Sequence, residues 1–107
     1  MLTIDAIRQK ITPLCVNYEI ERAYIFGSYA RGEADEESDV DIRVEIDAKN
    51  KKLKTLLQET NFQMDIESAL NKKVDLLTVL PPGSINQTIR NYILREEAVI
   101  YENNGEG

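Results

Sequence analysis

The chain has 107 residues, 42% of them hydrophobic, with 13 Lys and Arg against 19 Asp and Glu, no histidine and a formal net charge of −6. That length allows one domain with a modest core, and that hydrophobic content excludes a disordered chain. The acidic balance lacks the electrostatic footprint of a nucleic-acid binder, and the missing histidine removes imidazole acid–base chemistry and His-ligated zinc.

No apolar stretch approaches the ~20 residues of a membrane span, and no signal peptide opens the sequence. The single cysteine, Cys15, excludes an internal disulfide and reads as a small core residue of a cytoplasmic protein.

In chain order, Ile4, Ile7, Ile11, Leu14 and Cys15 recur at helical spacing, with Thr3 as N-cap and Asp5 in the first turn. Pro13 is expected to kink this helix or shorten its hydrogen-bonded part. Asn17 to Glu21 reads as a polar connection, and Ala23 to Phe26 as a short buried strand. Gly27-Ser28 turns out of it, Tyr29-Ala30-Arg31 begins a helical turn, and Ala34 to Ser38 is an acidic, solvated loop. From Asp39 the period becomes two: Val40, Ile42, Val44 and Ile46 face one way, Asp39, Asp41, Arg43 and Glu45 the other. The apolar face is expected to pack on helices and the charged face to stay open to solvent or ligand.

Asp47 is placed to cap a helix from about Lys51 to Leu70. Its stripe starts at Leu53, Leu56 and Leu57 and finishes at Phe62, Ile66, Ala69 and Leu70; a slip in register at Thr60-Asn61 leaves two shorter helices open. Lys49, Lys51, Lys52 and Lys54 read as a solvated face, and Asn71 suits a left-handed residue after the helix. Val74 to Leu80 is a third strand, stopped by Pro81-Pro82-Gly83. Ser84 caps a helix bearing Ile85, Ile89, Tyr92 and Ile93, and Ala98 to Tyr101 is a last short strand. Tyr24, Tyr29 and Tyr92 read as packing residues with surface hydroxyls. The whole is one domain over residues 1–102 with a polar tail, 103–107. Its fold class is α+β (α/β-like), a small mixed sheet with helices mainly on one face.

The chemistry concentrates in Gly27-Ser28, ten intervening residues, and Asp39-Val40-Asp41. A glycine and a hydroxyl at a strand end can hold phosphate oxygens against backbone N–H groups. Two carboxylates one residue apart on a strand share a face, about 6–7 Å apart at their Cα atoms, within reach of one hard divalent cation. Oxygen ligands without histidine suit Mg²⁺ or Mn²⁺. Phosphate cradle plus metal carboxylates points to nucleotide chemistry. Arg43 shares the carboxylate face; it could pair with Glu45, contact a nucleotide or balance local charge, and alternation leaves all three open.

Gly27-Ser28-Tyr29-Ala30-Arg31-Gly32-Glu33-Ala34 and Ser38-Asp39-Val40-Asp41-Ile42 resemble the signature of the DNA polymerase β-type nucleotidyltransferase superfamily. Within it they resemble the minimal nucleotidyltransferases, commonly encoded as the antitoxin beside a HEPN-domain RNase toxin. Lys73-Val74-Asp75-Leu76 resembles the family's third-carboxylate strand, and the likeness runs from roughly Ile20 to Tyr101. The resemblance implies the polymerase β-type fold, Asp39, Asp41 and Asp75 as catalytic metal ligands, and Gly27, Ser28 and Arg31 as nucleotide-binding residues. It implies two Mg²⁺ ions, ATP as donor, and transfer of AMP to a tyrosine hydroxyl of a partner HEPN toxin, which silences the toxin. The alternatives are a non-catalytic antitoxin that covers the toxin, or transfer to a small acceptor such as an aminoglycoside. Two positions depart from the family pattern: Arg43 stands where an apolar residue is usual, and Asn71 where glycine is.

Overall fold

A computed structural model describes residues 2–78 and 97–103. The expected helix after Ser84, the strand end at residues 79–80 and the tail from residue 104 lie outside the described residues.

Helix α1 (Ile4–Asn17) starts where the Thr3 side chain accepts the Ala6 N–H at 3.0 Å. It runs through Pro13 without stopping, because burial of Ile7, Ile11 and Cys15 along one face outweighs the one lost backbone bond. At its end Glu19 adopts φ 57°, and the N–H groups of Glu19 and Ile20 return to the carbonyls of Val16 and Cys15. This is a Schellman reversal with glutamate in the place glycine usually takes. It delivers Ile20, fully buried, into the core, so the connection expected to be polar carries an anchor.

Strand β1 (Arg22–Phe26) leads through Gly27 into a single helical turn, α2 (Ser28–Arg31). Strand β2 (Val40–Glu45) follows, then helix α3 (Leu56–Leu70), β3 (Val74–Thr78) and β4 (Ala98–Glu102). The sheet order is β3-β2-β1-β4; β1 pairs antiparallel with β2 and β4, while β2 and β3 are parallel and joined by the α3 crossover. This is the mixed α+β sheet expected. Helix α1 lies against α3 and β4, and α3 against β3. Ala23, Ile25, Val40, Ile42, Val44 and Val74 turn towards them and meet Ile7, Ile11, Cys15, Phe62, Ile66 and Leu70 in one core. Burial pushes the Cys15 thiol up to about 12, which fits an inert core residue.

Helix α3 corrects the sequence reading at its start. It is one helix, and it begins at Leu56 rather than near Lys51. Thr55, not Asp47, is the cap: its side chain accepts the Gln58 N–H at 3.1 Å, and Gln58 Oε1 accepts the Thr55 N–H at 3.0 Å. That reciprocal capping box fixes the first turn. Upstream, Asn50 is 6% exposed and organises a loop instead. Its amide donates to the carbonyls of Tyr18 and Glu19, and its Oδ1 accepts from the N–H groups of Lys52 and Leu53. Leu53 is buried from that loop, whereas Leu56 and Leu57 point outward. Asn71 takes the left-handed conformation expected of it (φ 54°, ψ 43°).

Candidate active site

Gly27 bends the chain out of β1 with φ 73°, ψ −146°, a region open to glycine and strained for side chains. The position is closed for a second reason: a Cβ there would overlap the Asp41 carboxylate and sit 3.2 Å from its Cγ. The turn that precedes Ser28 and the carboxylate of Asp41 are therefore packed face to face. In the sheet, Asp41 lies opposite Phe26 on β1 and opposite Asp75 on β3. Asp39 precedes β2 on the face of Asp41. The structure thus brings Gly27, Ser28, Asp41 and Asp75 to one end of the sheet, with Asp39 adjoining.

The electrostatics show how concentrated this negative charge is. The Asp41 carboxyl is pushed up to about 6, first by burial, then by the charge of Asp75, which is close enough to share a proton with it, and by Asp39. Arg31 opposes the rise, so its guanidinium reaches the Asp41 field. It also pairs with Glu33 at 3.0 Å. Among the described residues no three acids close into a ready-made cation cluster. Asp75 is exposed at the start of β3. The donor set of carboxylate oxygens fits a hard divalent cation.

A pH dependence follows. Asp41 holds its proton more tightly in the folded than in the unfolded chain, so its contribution to stability is full below pH about 3.8 and is lost as pH rises through about 6. Discounted for the solvent that reaches the group, the loss is about 1 kcal/mol. Urea titrations in EDTA at pH 5 and 7.5 should show wild type losing more stability over this interval than Asp41→Asn; parallel behaviour would contradict the placement of Asp41.

Three further features escaped the sequence reading. First, the charged face of β2 is not open throughout. Arg43 is 7% exposed, paired with Glu97 through Nε and Nη2 at 2.8 and 2.7 Å and with Glu45 at 3.0 Å. Its guanidinium lies 4.1 Å from the centre of the Tyr24 ring. Of the roles left open, pairing with Glu45 holds, and Glu97 is added from a segment 54 residues away. Second, the acidic loop is built rather than merely solvated. Asp35 Oδ1 accepts from the Glu37 N–H and the Ser38 hydroxyl, and Lys72 donates to the carbonyls of Glu36 and Ser38. Lys72 ties the segment before Asp39 to the turn before Asp75. Third, the hydroxyls of Tyr24 and Tyr29 are not at the surface: the first donates to Glu45, and the second is buried without a hydrogen bond.

Comparison with known proteins decides the class. The family described as Polymerase beta, Nucleotidyltransferase matches residues 9–106. The chain belongs to this nucleotidyltransferase family. Members of it generally use divalent metal ions. The nucleotidyltransferase is 33% identical over 105 residues to "Protein adenylyltransferase MntA" of Thermococcus cleftensis, covering 94% of this chain and 97% of that one. It is 39% identical over 95 residues to the Methanocaldococcus jannaschii protein named "Putative protein adenylyltransferase MJ0435", covering 89% and 95%. Among solved structures it resembles a minimal nucleotidyltransferase at 29% identity with a TM-score of 0.70, covering 91% of this chain and 95% of that one. A toxin–antitoxin complex with AMP-PNP shares its fold at a TM-score of 0.72 and 21% identity, covering 91% and 74%. None of the helices among the described residues is long and apolar enough to cross a membrane.

Proposed function

We propose that this nucleotidyltransferase transfers AMP from ATP to a tyrosine hydroxyl of a partner HEPN toxin and so acts as its antitoxin. The observation that carries the reading is the packing of the Asp41 carboxylate against Gly27 and beside Asp75, which joins a phosphate turn to paired acids. The relatives named protein adenylyltransferases support AMP as the group moved and a protein as its acceptor.

Asp39, Asp41 and Asp75 are the residues that would hold two Mg²⁺ ions, with Mn²⁺ able to substitute. Bound there, the ions would supply positive charge where negative charge accumulates on phosphate oxygens. Gly27, lacking a side chain, lets the triphosphate approach the backbone, and the Ser28 hydroxyl donates to a β- or γ-phosphate oxygen. Arg31 neutralises the outer phosphates. Asp75, exposed beside Asp41, takes the proton of the acceptor hydroxyl. The tyrosine oxygen then bonds to the α-phosphorus, the bond from that phosphorus to the bridging oxygen breaks, and pyrophosphate leaves.

If the ions sit between protein carboxylates and phosphate oxygens, the two ligands are coupled. Mg²⁺ with ATP should raise Tm by more than the sum of the separate shifts. Equal stabilisation by ATP in EDTA and in Mg²⁺ would reject this site.

A further inference from the structure

The solvent side of α3 is unlike that of an ordinary surface helix. Phe62, Ile66 and Leu70 face the core, and the opposite side presents Leu57, Asn61, Met64 and Ser68, all exposed. Their spacing is four, three, four, the alternation of a helix-packing seam, with a polar Asn at one inner position. No charge interrupts the stripe, whereas the solvent side of a helix is normally charged. Leu57 is 69% and Met64 57% exposed, and the adjoining Leu56 79%. The two acids beside the stripe are already engaged, Asp65 by the Tyr18 hydroxyl and Glu67 by the Val74 N–H.

At the N-terminal end of the seam lie Lys49, Lys51, Lys52 and Lys54. Their backbone is fixed by Asn50, Asp47 and Gln58. Their ammonium groups have neither ion pair nor hydrogen bond among the described residues. On a chain of net charge −6, four lysines in six residues are a local reversal of sign. Held rigidly beside exposed leucines, they form a prepared surface.

We propose that the outer face of α3 with the Lys49–Lys54 loop is the docking surface for the acceptor protein, which presents an amphipathic helix with carboxylates at the end that meets the loop. The inference rests on the protein-acceptor reading above and assigns where that partner sits. A second copy of this chain fits less well. Pairing α3 with itself in parallel sets the lysine loops against each other, and antiparallel pairing sets them against Lys72 and Lys73. A partner carboxylate cluster satisfies them instead, and the uncharged seam accepts apolar side chains at the same spacing.

The test uses the full chain and its HEPN-domain partner. Affinity is measured by titration calorimetry, and AMP transfer by intact mass of the partner. Leu57→Glu/Met64→Glu should bind the partner at least about tenfold more weakly, as expected when charge enters the centre of an interface. Lys51→Glu/Lys52→Glu should weaken binding and flatten its salt dependence. Both should keep wild-type Tm and the wild-type thermal shift with Mg²⁺ and ATP, since the residues are exposed and the lysine loop follows the end of β2 opposite to Asp41. Wild-type affinity and transfer in the seam variant would overturn the surface and leave the function standing. Seam-dependent binding with no mass gain in the partner would overturn the function and leave the surface standing. Sedimentation showing an isolated dimer that Leu57→Glu/Met64→Glu dissolves would reassign the seam to a second copy. Binding of an RNA oligonucleotide that the lysine variant alone abolishes would also overturn the assignment.

Discussion

Asp41→Asn is expected to lose transfer activity by about a thousandfold or more while making the metal-free protein more stable. On the proposed reading the loss follows from removing a charged metal ligand where phosphate charge builds up, an effect of several kcal/mol on the barrier. The gain follows from the same charge: the carboxylate is half-buried against Gly27 beside Asp75 and Asp39, and burial followed by those charges raises its pKa to about 6. A neutral amide of the same shape escapes that repulsion and should raise stability at pH 7.5 by about 1 kcal/mol. Opposite signs on activity and stability mark a group kept for function. Activity assays and melting curves on one preparation check both halves. A variant both active and no more stable would show that Asp41 is an ordinary surface acid.

The largest effect on folding is expected at the buried ion pair. Glu97→Leu leaves the Arg43 guanidinium, 7% exposed, with Glu45 as its remaining carboxylate. Breaking a buried pair by removing one partner costs about 3 kcal/mol or more, because the other charge stays buried without its solvent. In a domain of this size that lowers Tm by more than about 10 °C. The double variant Arg43→Met/Glu97→Leu removes both charges and should recover most of the loss, since an apolar replacement of a buried pair is often neutral. Urea denaturation of the two single variants and the double closes the cycle. A loss below about 1 kcal/mol in Glu97→Leu would mean that solvent screens the pair.

The grouping of the candidate residues was legible in the sequence because its parts are local. The alternation that puts Asp39 and Asp41 on one face is fixed within a single strand, and Gly27-Ser28 marks the end of the strand paired with it. Asp75 followed from resemblance, and the parallel β2–β3 register then set it opposite Asp41. What was not legible depends on distant partners. Arg43 shares the face of the aspartates, and nothing near it announces Glu97, which reaches it from the segment before β4. The start of α3 was misplaced because Lys51 to Lys54 suit a helix on propensity alone, while Asn50 and the Thr55–Gln58 box act through specific hydrogen bonds. Spacing places Leu56 and Leu57 at the start of the apolar stripe, yet the core stripe of α3 runs through Phe62, Ile66 and Leu70 and leaves them outside.

On the proposed reading Gly27, Ser28 and the three aspartates orient ATP, while the acceptor hydroxyl arrives on a separate protein. Orientation is worth up to ~7–11 kcal/mol of a barrier, so the acceptor must bring its own positioning by docking. The measurement that addresses this most directly is intact-mass spectrometry of the HEPN-domain partner, incubated with the chain, ATP and Mg²⁺. The mass should rise by one or more AMP units, with loss of the partner's RNase activity, and should stay constant with Asp41→Asn. A partner that is bound and inhibited while its mass never changes would contradict adenylyl transfer and leave neutralisation by binding alone.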